Sequence, residues 1–305
     1  MEEHKKFGAI DLFMLLAVLI WAVNFTVIKI ALREFSPLGF NGLRLVFSAL
    51  LLIIVLTVSG EGLHLRKEDI WGALGLGIIG HTAYQLLFIH GLNWTKVSNT
   101  SIIMAMTPIL IALLSTGLKH EKIHWAGWLG ILMSLAGFYL VITKQGEAFQ
   151  FTWENIRGDF MIFAGNIFWA VYTVLSKPYL ERISPLKWTS LTLAFGTVFY
   201  IPFAARDIVK IPWNQVSLGG WVSLFYSGVF AIAISYVIWY SSVKRIGNSK
   251  TAIYGNINVV FSVLIASVFL AERINSLQIV GALVIFAGVY LTRFGYLFFQ
   301  KREMK

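Results

Sequence analysis

The 305-residue chain is 57% hydrophobic and only 13% charged, whereas about a quarter of the residues in a typical soluble domain are charged. The formal net charge is +10, but the basic residues lie in short clusters between apolar runs. This distribution argues against a nucleic-acid partner. The absence of cysteine excludes disulfides and thiolate metal sites. Catalytic motifs and glycine-rich phosphate loops are also missing, so we expect neither an enzyme nor a cofactor.

Ten apolar runs follow one another along the chain, and each is close to the roughly 20 residues that cross a bilayer. The first run is too long for a signal peptide and has no small-residue cleavage motif after it, so we predict a retained helix. No polar stretch between the runs is long enough to fold as a soluble domain. The sequence therefore predicts an all-α integral membrane protein with ten transmembrane helices, at 11–32, 38–59, 70–91, 98–118, 124–143, 158–178, 186–204, 218–243, 250–270 and 275–297.

The distribution of Lys and Arg between the runs predicts the orientation. If the N-terminus is inside, 15 basic residues lie on the inner side and 7 on the outer side. Lys and Arg favour cytoplasmic loops. We therefore expect a multi-pass protein of the inner (plasma) membrane with both termini in the cytoplasm.

The two halves of the chain repeat the same markers. Asp11 and Trp21 correspond to Asp159 and Trp169 at an offset of 148 residues, and Lys29 corresponds to Lys177. Further on, at an offset of 151, the matching residues are Glu121 with Glu272, Gly130 with Gly281, and Gly137 with Gly288. We predict two five-helix repeats, 11–143 and 158–297. Because five is odd, the second repeat must be inverted, an architecture that places a substrate site between the halves and permits alternating access.

These markers carry a resemblance to the EamA family of the drug/metabolite transporter superfamily, over essentially all of residues 11–295. The resemblance implies a ten-helix inner-membrane exporter of amino acids or related metabolites. The second half departs from the family pattern, because Val259 stands where Pro108 predicts a proline. The residues that carry the resemblance are Trp21-Ala-Val-Asn-Phe with Lys29, Arg44, Thr107-Pro108, Glu121 and Ala271-Glu272-Arg273.

Two basic residues lie within predicted membrane helices, where a charge costs about 2.5–3.5 kcal/mol on insertion scales. Arg44 could bind a substrate carboxylate through two hydrogen bonds, or it could cap backbone carbonyls. Lys29 lies near the outer end of the first helix and could extend to the interface. His81, Tyr84 and Gln85 form a polar segment in the middle of the third helix. We expect His81 and Gln85, four residues apart, to share one helix face and line a site.

Several aromatic and amide side chains also lie at depth. Trp21, Trp169 and Tyr236 are too deep for an interfacial belt and fit a cavity or the core equally well. Asn24 and Tyr172 occupy equivalent places in the two halves, and Tyr254 and Asn256 lie in the ninth helix. Glu121 and Glu272 are expected to cap the starts of their helices. Five further tryptophans are predicted in the interfacial belt: Trp71, Trp125, Trp188, Trp213 and Trp221.

The function favoured by these features is export of amino acids or related small zwitterions by alternating access, with Arg44 or Lys29 meeting the substrate carboxylate. The predicted substrate-binding residues are Trp21, Asn24, Lys29, Arg44, His81, Tyr84, Gln85, Trp169, Tyr172, Tyr236, Tyr254 and Asn256. The alternatives are a sugar-phosphate or nucleotide-sugar antiporter and, from another class, a membrane scaffold or membrane-embedded enzyme. No Asp or Glu lies in the middle of a predicted helix. We therefore expect facilitated transport, with His81 serving mainly to bind. The expected partners are a small-molecule substrate and the lipid bilayer, with the protein a monomer or homodimer.

Overall fold

The computed structural model describes residues 7–95, 97–143, 153–270 and 276–295, and within these ranges the chain is helical without strands. The first half contains five segments, of which α4 is broken into two pieces. Their bounds are α1 Ala9–Ala31, α2 Pro37–Val58, α3 Lys67–Trp94, α4 Val97–Met104 with Thr107–Gly117, and α5 Trp125–Thr143.

The second half has the same order of elements, and here α9 is broken. A 3₁₀ turn at Ile253–Ile257 separates the two helical pieces of α9. The bounds are α6 Trp153–Leu180, α7 Pro185–Val209, α8 Leu218–Ile246, α9 Asn248–Ala252 with Asn258–Leu270, and α10 Ser276–Phe294.

The predicted all-α membrane fold is confirmed. In the described ranges, eight helices are long and apolar enough to cross a membrane, and the apolar part of α5 is shorter, at Trp125–Val141. The segment 248–270 follows the predicted ninth position, but the 3₁₀ turn divides it. The described segments therefore follow the order of the ten predicted runs, while α9 is not one regular helix.

The same serine–proline pair begins α2 and α7. The Ser36 hydroxyl accepts a hydrogen bond from the backbone N–H of Gly39 (3.2 Å), and Ser184 accepts from Lys187 (3.1 Å). Each serine satisfies one of the free N–H groups at a helix start. Proline follows at the first helical position, where its missing N–H costs nothing. The local sequence thus specifies both helix starts.

The breaks in α4 and α9 have different local causes. In α4 the break precedes Pro108, which cannot donate a backbone hydrogen bond. The side-chain amide of Asn166 on α6 donates to the carbonyl of Ile103 at this break (3.0 Å). In α9 no proline is present, and the tighter 3₁₀ turn contains Gly255. Both breaks occur close to the cavity described below.

Wide turns occur at equivalent places in α3 and α8. The π-helical segments Ile78–Ala83 and Tyr226–Ile234 begin 148 residues apart, which is the offset that relates the two halves. Such turns are frequent at functional sites. The Thr82 hydroxyl donates to the carbonyl of Gly196 (2.7 Å), and Ser48 donates to the carbonyl of Gly228 (2.8 Å). Each wide turn is therefore held by a neighbouring helix.

The fifth segments of the two halves, α5 and α10, pack through glycines and run antiparallel. A Cβ added to Gly130 would lie 2.5 Å from the carbonyl oxygen of Gly288, and one added to Gly137 would lie 2.7 Å from that of Gly281. Increasing residue numbers on one helix thus meet decreasing numbers on the other. Small residues allow this close backbone approach between membrane helices.

The beginning of α1 and the end of α10 lie on the same side of the molecule. Nε of Arg293 donates to Oδ1 of Asp11 at 2.9 Å, and the Tyr254 hydroxyl donates to the same carboxylate. Both members of the ion pair are buried, and a buried pair of this kind needs such additional hydrogen bonds. We call this side the terminal face, and the opposite side, with the connections α1–α2 and α7–α8, the distal face.

Four of the five tryptophans predicted for the interfacial belt have exposed side chains, which an interfacial position requires but does not by itself establish: Trp71, Trp125, Trp213 and Trp221. Trp188 was predicted wrongly, because it is completely buried and stacks on the ring of Tyr179 with 4.4 Å between centroids. It lies in the first turn of α7, where position along the helix alone suggests the interface, but its side chain faces the adjacent α6 helix.

Candidate functional site

A cavity lies between the two halves, bordered by residues of α1–α6, α8 and α9. Its empty volume is about 900 Å³, including the part open to solvent. Seven of the twelve predicted site residues line it: Trp21, Asn24, Arg44, Tyr84, Gln85, Trp169 and Tyr236.

Aromatic rings form much of the cavity wall. Trp169 contacts Tyr236 at 5.0 Å and Trp239 at 5.7 Å between ring centroids, and Trp21 contacts Trp239 at 5.5 Å. The Trp21 indole N–H donates to the carbonyl of Ala231 in the wide turn of α8 (2.9 Å). Since the indole is held by this bond, one face of the wall has a fixed orientation.

Arg44 provides the positive charge of the cavity. Its Nε donates to Oδ1 of Asn41 (2.7 Å), and its Nη2 donates to Oε1 of Gln85 (3.0 Å). The side chain is only 2% exposed, yet none of the ion pairs in the described ranges includes it. The described residues that line the cavity include no carboxylate. Arg44 is therefore a nearly buried cation held by neutral groups.

The hydrogen bonds of Gln85 make the Tyr236 oxygen an acceptor and leave its hydroxyl hydrogen available. A guanidinium has only donors, so Gln85 must turn its oxygen toward Arg44. Its amide nitrogen then donates to the Tyr236 oxygen (2.9 Å). The hydroxyl hydrogen of Tyr236 is consequently left for another acceptor. Because Tyr236 lines the cavity, Arg44 and Tyr236 together offer hydrogen-bond donors to an occupant.

His81 lies behind the cavity wall and is fully buried. The Thr192 hydroxyl donates to the carbonyl of Trp188 (2.8 Å), so it accepts from Tyr172 (2.6 Å). Tyr172 in turn accepts from Nε2 of His81 at 3.0 Å. This chain places the proton of a neutral His81 on Nε2 and leaves Nδ1 without a partner in the described part of the chain. His81 thus orients Tyr172 and, in this conformation, neither side chain lines the cavity.

His81 and Gln85 both contact Tyr236, but only Gln85 lines the cavity. The Gln85 amide donates to the Tyr236 hydroxyl (2.9 Å), whereas the His81 ring stacks behind the Tyr236 ring with 5.7 Å between ring centroids. Both side chains therefore face α8, and Tyr236 lies between His81 and the cavity.

Three other predicted residues lie away from the cavity and are held by specific partners. The Lys29 ammonium donates to the carbonyl oxygens of Leu92 (2.6 Å) and Thr95 (3.5 Å) near the end of α3. Tyr254 donates to Asp11 at the terminal face. The Asn256 amide donates to the Ser134 hydroxyl (3.1 Å).

Sequence reasoning missed two thirds of the lining residues, and only some of them had a detectable signal. Trp239 lies one turn after Tyr236, so helical spacing could have identified it. Thr107 and Val259 were noted only in connection with the family resemblance, and the other residues from α4, α5 and α9 come from apolar runs with no distinctive pattern. The lining residues that were missed are Phe25, Phe88, Ser101, Met104, Ala105, Thr107, Phe138, Ala231, Ile232, Trp239, Ala252, Gly255, Asn258 and Val259.

Comparison with known proteins agrees with this architecture. The model of the EamA-like transporter family matches residues 8–143 and 156–294. The chain is 30% identical over 285 residues to the uncharacterized transporter YyaM of Bacillus subtilis (strain 168), covering 92% of each protein. It is 28% identical to an uncharacterized transporter of Archaeoglobus fulgidus, covering 92% of this chain and 96% of the relative.

A crystal structure of a protein with 20% sequence identity has the same fold, with a TM-score of 0.78 over 94% of this chain and 96% of the other. The family and the names of the relatives point to a transporter rather than an enzyme. Together with the apolar helices, they indicate a multi-pass membrane protein. The chain belongs to the EamA-like transporter family.

Proposed function

We propose that the protein exports small metabolites that bear a carboxylate, amino acids and related zwitterions above all. The observation that carries this proposal is Arg44, a cation in the cavity without an acidic partner in the described residues. A buried charge without compensation is costly, and a carboxylate from the substrate supplies the missing charge. Arg44 and Tyr236 both donate, as binding of a carboxylate requires.

The remaining cavity chemistry suits the rest of an amino acid. The faces of Trp21, Trp169 and Trp239 can attract an ammonium group through cation–π interactions. The same rings and Phe25 provide apolar surface for a side chain. The cavity needs no acidic residue to accept a zwitterion by this arrangement.

The sugar-phosphate alternative loses support from the position of the lysines. A phosphate carries more charge than a carboxylate and favours several cations close together. Lys29 contacts two backbone carbonyls, and Lys177 pairs with Glu121 at 2.9 Å. Neither lysine lines the cavity, which leaves Arg44 as its only Lys or Arg among the described residues.

The test is competition for transport in proteoliposomes. A panel of standard amino acids first identifies one that drives counterflow, and its carboxamide derivative then serves as a matched competitor without the carboxylate. We expect the amide to compete about tenfold more weakly, the loss of one charge-assisted interaction. Arg44→Gln should remove this difference, whereas Arg206→Gln, at an exposed arginine near the end of α7, should keep it. Equal competition by acid and amide in the wild type would contradict the proposal.

We further propose that the two halves form an inverted repeat that alternates access to the cavity, with the terminal face in the cytoplasm. The antiparallel packing of α5 and α10 supports this arrangement. The single substitutions His64→Cys on the terminal face and Asn214→Cys on the distal face test the orientation in this cysteine-free chain. An impermeant maleimide added to intact cells should label only the variant at position 214. Labelling at position 64 alone would reverse the orientation, and labelling of both variants would refute the topology.

A further inference from the structure

A partly buried carboxylate connects three parts of the chain at the terminal face. Glu121, in the connection between α4 and α5, accepts a hydrogen bond from the Lys177 ammonium on α6 (2.9 Å). It also accepts from the Ser249 hydroxyl (2.7 Å) and from the backbone N–H of Ser249 (3.1 Å) and Asn248 (2.5 Å) at the beginning of α9. We call the groups that surround its carboxylate the Glu121 cradle.

These contacts correct the role predicted for Glu121. The sequence predicted that this carboxylate caps the start of its own helix, but its hydrogen bonds go to the start of α9 instead. The cause is tertiary, because the beginning of α9 folds against the α4–α5 connection and presents free N–H groups there. The same prediction for Glu272 concerns a residue outside the described ranges.

The cradle opens into a basic recess at the terminal face, with an empty volume of about 1460 Å³ including its open side. Glu121 is the only carboxylate lining the recess within the described residues. Burial raises the pKa of Glu121. The nearby charge of Lys177 and the hydrogen bonds from Ser249 and Lys177 lower this pKa by more than burial raises it, so the net shift is downward. The recess is lined by five cationic side chains: Lys122, Lys177, Lys244, Arg245 and Lys250.

The backbone of the cradle approaches the carboxylate closely. Gly247 has φ +93°, and a Cβ at this position would overlap Oε1 of Glu121. The backbone conformation favours glycine there, and a side chain would displace the Glu121 carboxylate. The cradle thus surrounds one carboxylate group with an ammonium, a hydroxyl and two backbone N–H groups, and Gly247 leaves room for the carboxylate to approach the backbone.

The recess and the substrate cavity lie on either side of the same short part of α9. Ser249 and Lys250 line the recess, while Ala252 and Gly255 line the cavity. Glu121 ties this segment to α6 and to the connection between α4 and α5.

We propose that the Glu121 cradle is a second carboxylate-binding site, which Glu121 fills in the closed state and which a carboxylate anion from the recess fills after Glu121 leaves. The positive charge of the recess attracts such anions, and Lys177 and Ser249 supply the donors for them. Glu121 and the free anion compete for the same donors. An incoming carboxylate therefore releases the connection between α4 and α5 from α9.

If the protein transports carboxylates, as the proposed function holds, this site is the first one that a substrate contacts on its route to Arg44. Replacement of Glu121 by the anion then weakens the contact between the α4–α5 connection and α9 at the terminal face. A ligand can shift a conformational equilibrium only if it binds the two states differently. The cradle meets that requirement, because it is available to an external anion only when Glu121 has left it.

Alkylation of a thiol at position 121 tests the site directly. In purified Glu121→Cys, the only thiol lies at the vacated cradle, and iodoacetate carries a carboxylate whereas iodoacetamide is neutral. The control is Glu68→Cys, at an exposed position on the same face that does not line the recess. We expect the rate ratio of iodoacetate to iodoacetamide to be about tenfold higher in Glu121→Cys than in Glu68→Cys. Sodium acetate, at constant ionic strength, should slow the iodoacetate reaction only in Glu121→Cys.

A second measurement uses no thiol chemistry. Acetate should raise the unfolding temperature of Glu121→Ala, because a ligand that binds only the folded state stabilises it. In the wild type and in Glu68→Ala the rise should be smaller, because acetate must first displace Glu121 from the cradle. Equal alkylation ratios in both cysteine variants, or no protection by acetate and no thermal shift, would overturn the proposal. Neither experiment measures transport, so such a failure is separate from a failure of the proposed function.

Discussion

At the scale of single residues, the polar end of the cavity depends on the order of donors and acceptors. Arg44 holds the oxygen of Gln85, and the Gln85 amide then donates to Tyr236. Gln85 thus holds the Arg44 guanidinium without neutralising its charge, and it also orients the Tyr236 hydroxyl. Gln85 is therefore a positioning residue whose neutrality matters as much as its hydrogen bonds.

Replacement of Gln85 by glutamate should supply the missing negative charge inside the cavity. In Gln85→Glu the new carboxylate would pair with Arg44, and we expect carboxylate substrates to compete at least about tenfold more weakly in counterflow. Gln215→Glu makes the same chemical change at an exposed position outside the cavity and should leave competition unchanged. Unaltered competition by carboxylates in Gln85→Glu would show that Arg44 does not bind them.

Several residue assignments followed from sequence because only a few polar or aromatic side chains lie deep in apolar runs. Arg44, Gln85, Trp21 and Trp169 were identified in this way, and all line the cavity. Lys29 was found by the same rule but contacts the end of α3. Depth along a helix is visible in the sequence, whereas the direction of the side chain depends on its neighbours.

At the scale of elements, the glycine contacts between α5 and α10 determine how closely these helices approach. A Cβ at Gly288 would lie 2.5 Å from the carbonyl oxygen of Gly130 and 2.6 Å from the backbone nitrogen of Ser134. Both obstacles are backbone atoms, so a side-chain rotation cannot relieve them. The helices would have to separate, with loss of contact along their length.

Gly288→Ala should therefore lower the thermal stability of the purified protein. Overpacking of this kind costs about 1–3 kcal/mol. Gly75→Ala is the matched control, because a Cβ there has nothing within 4 Å. In a helix interior that control should be neutral or stabilising. Similar unfolding temperatures for both variants, measured in the same detergent, would show that the α5–α10 contact adapts readily.

The wide turns are a feature of the elements that the sequence did not predict. The length of the apolar runs located α3 and α8, but it does not indicate where a helix changes from i→i+4 to i→i+5 hydrogen bonding. Those turns are held by contacts from distant parts of the chain, such as the Thr82 bond to Gly196. For this reason their positions were not predictable from the local sequence.

At the scale of the whole molecule, the described part of the cavity offers no group suited to carry a proton together with substrate. No Asp or Glu is among its described lining residues, and His81 is buried behind Tyr172 and Tyr236. The sequence-based expectation of facilitated transport thus stays a prediction with a definite physical reason.

Proteoliposomes should equilibrate substrate without concentrating it when only a pH gradient is imposed. Counterflow driven by substrate should proceed with and without that gradient. His81→Gln should behave in the same way with respect to the gradient, although altered orientation of Tyr172 will change its rate. Accumulation in the wild type that is lost in His81→Gln would identify His81 as the proton carrier instead.

The sequence by itself determined the class of the protein, because the bilayer imposes length, apolarity and charge distribution on every crossing segment. It also indicated the order of the segments and the family. Tertiary structure alone decided which side chains of α4, α5 and α9 reach the cavity, where Lys29 and His81 point, and what Glu121 binds. Those outcomes arise from contacts between residues 63 to 243 positions apart. Local patterns do not encode such contacts, because in an apolar helix every face looks alike until another helix covers one of them.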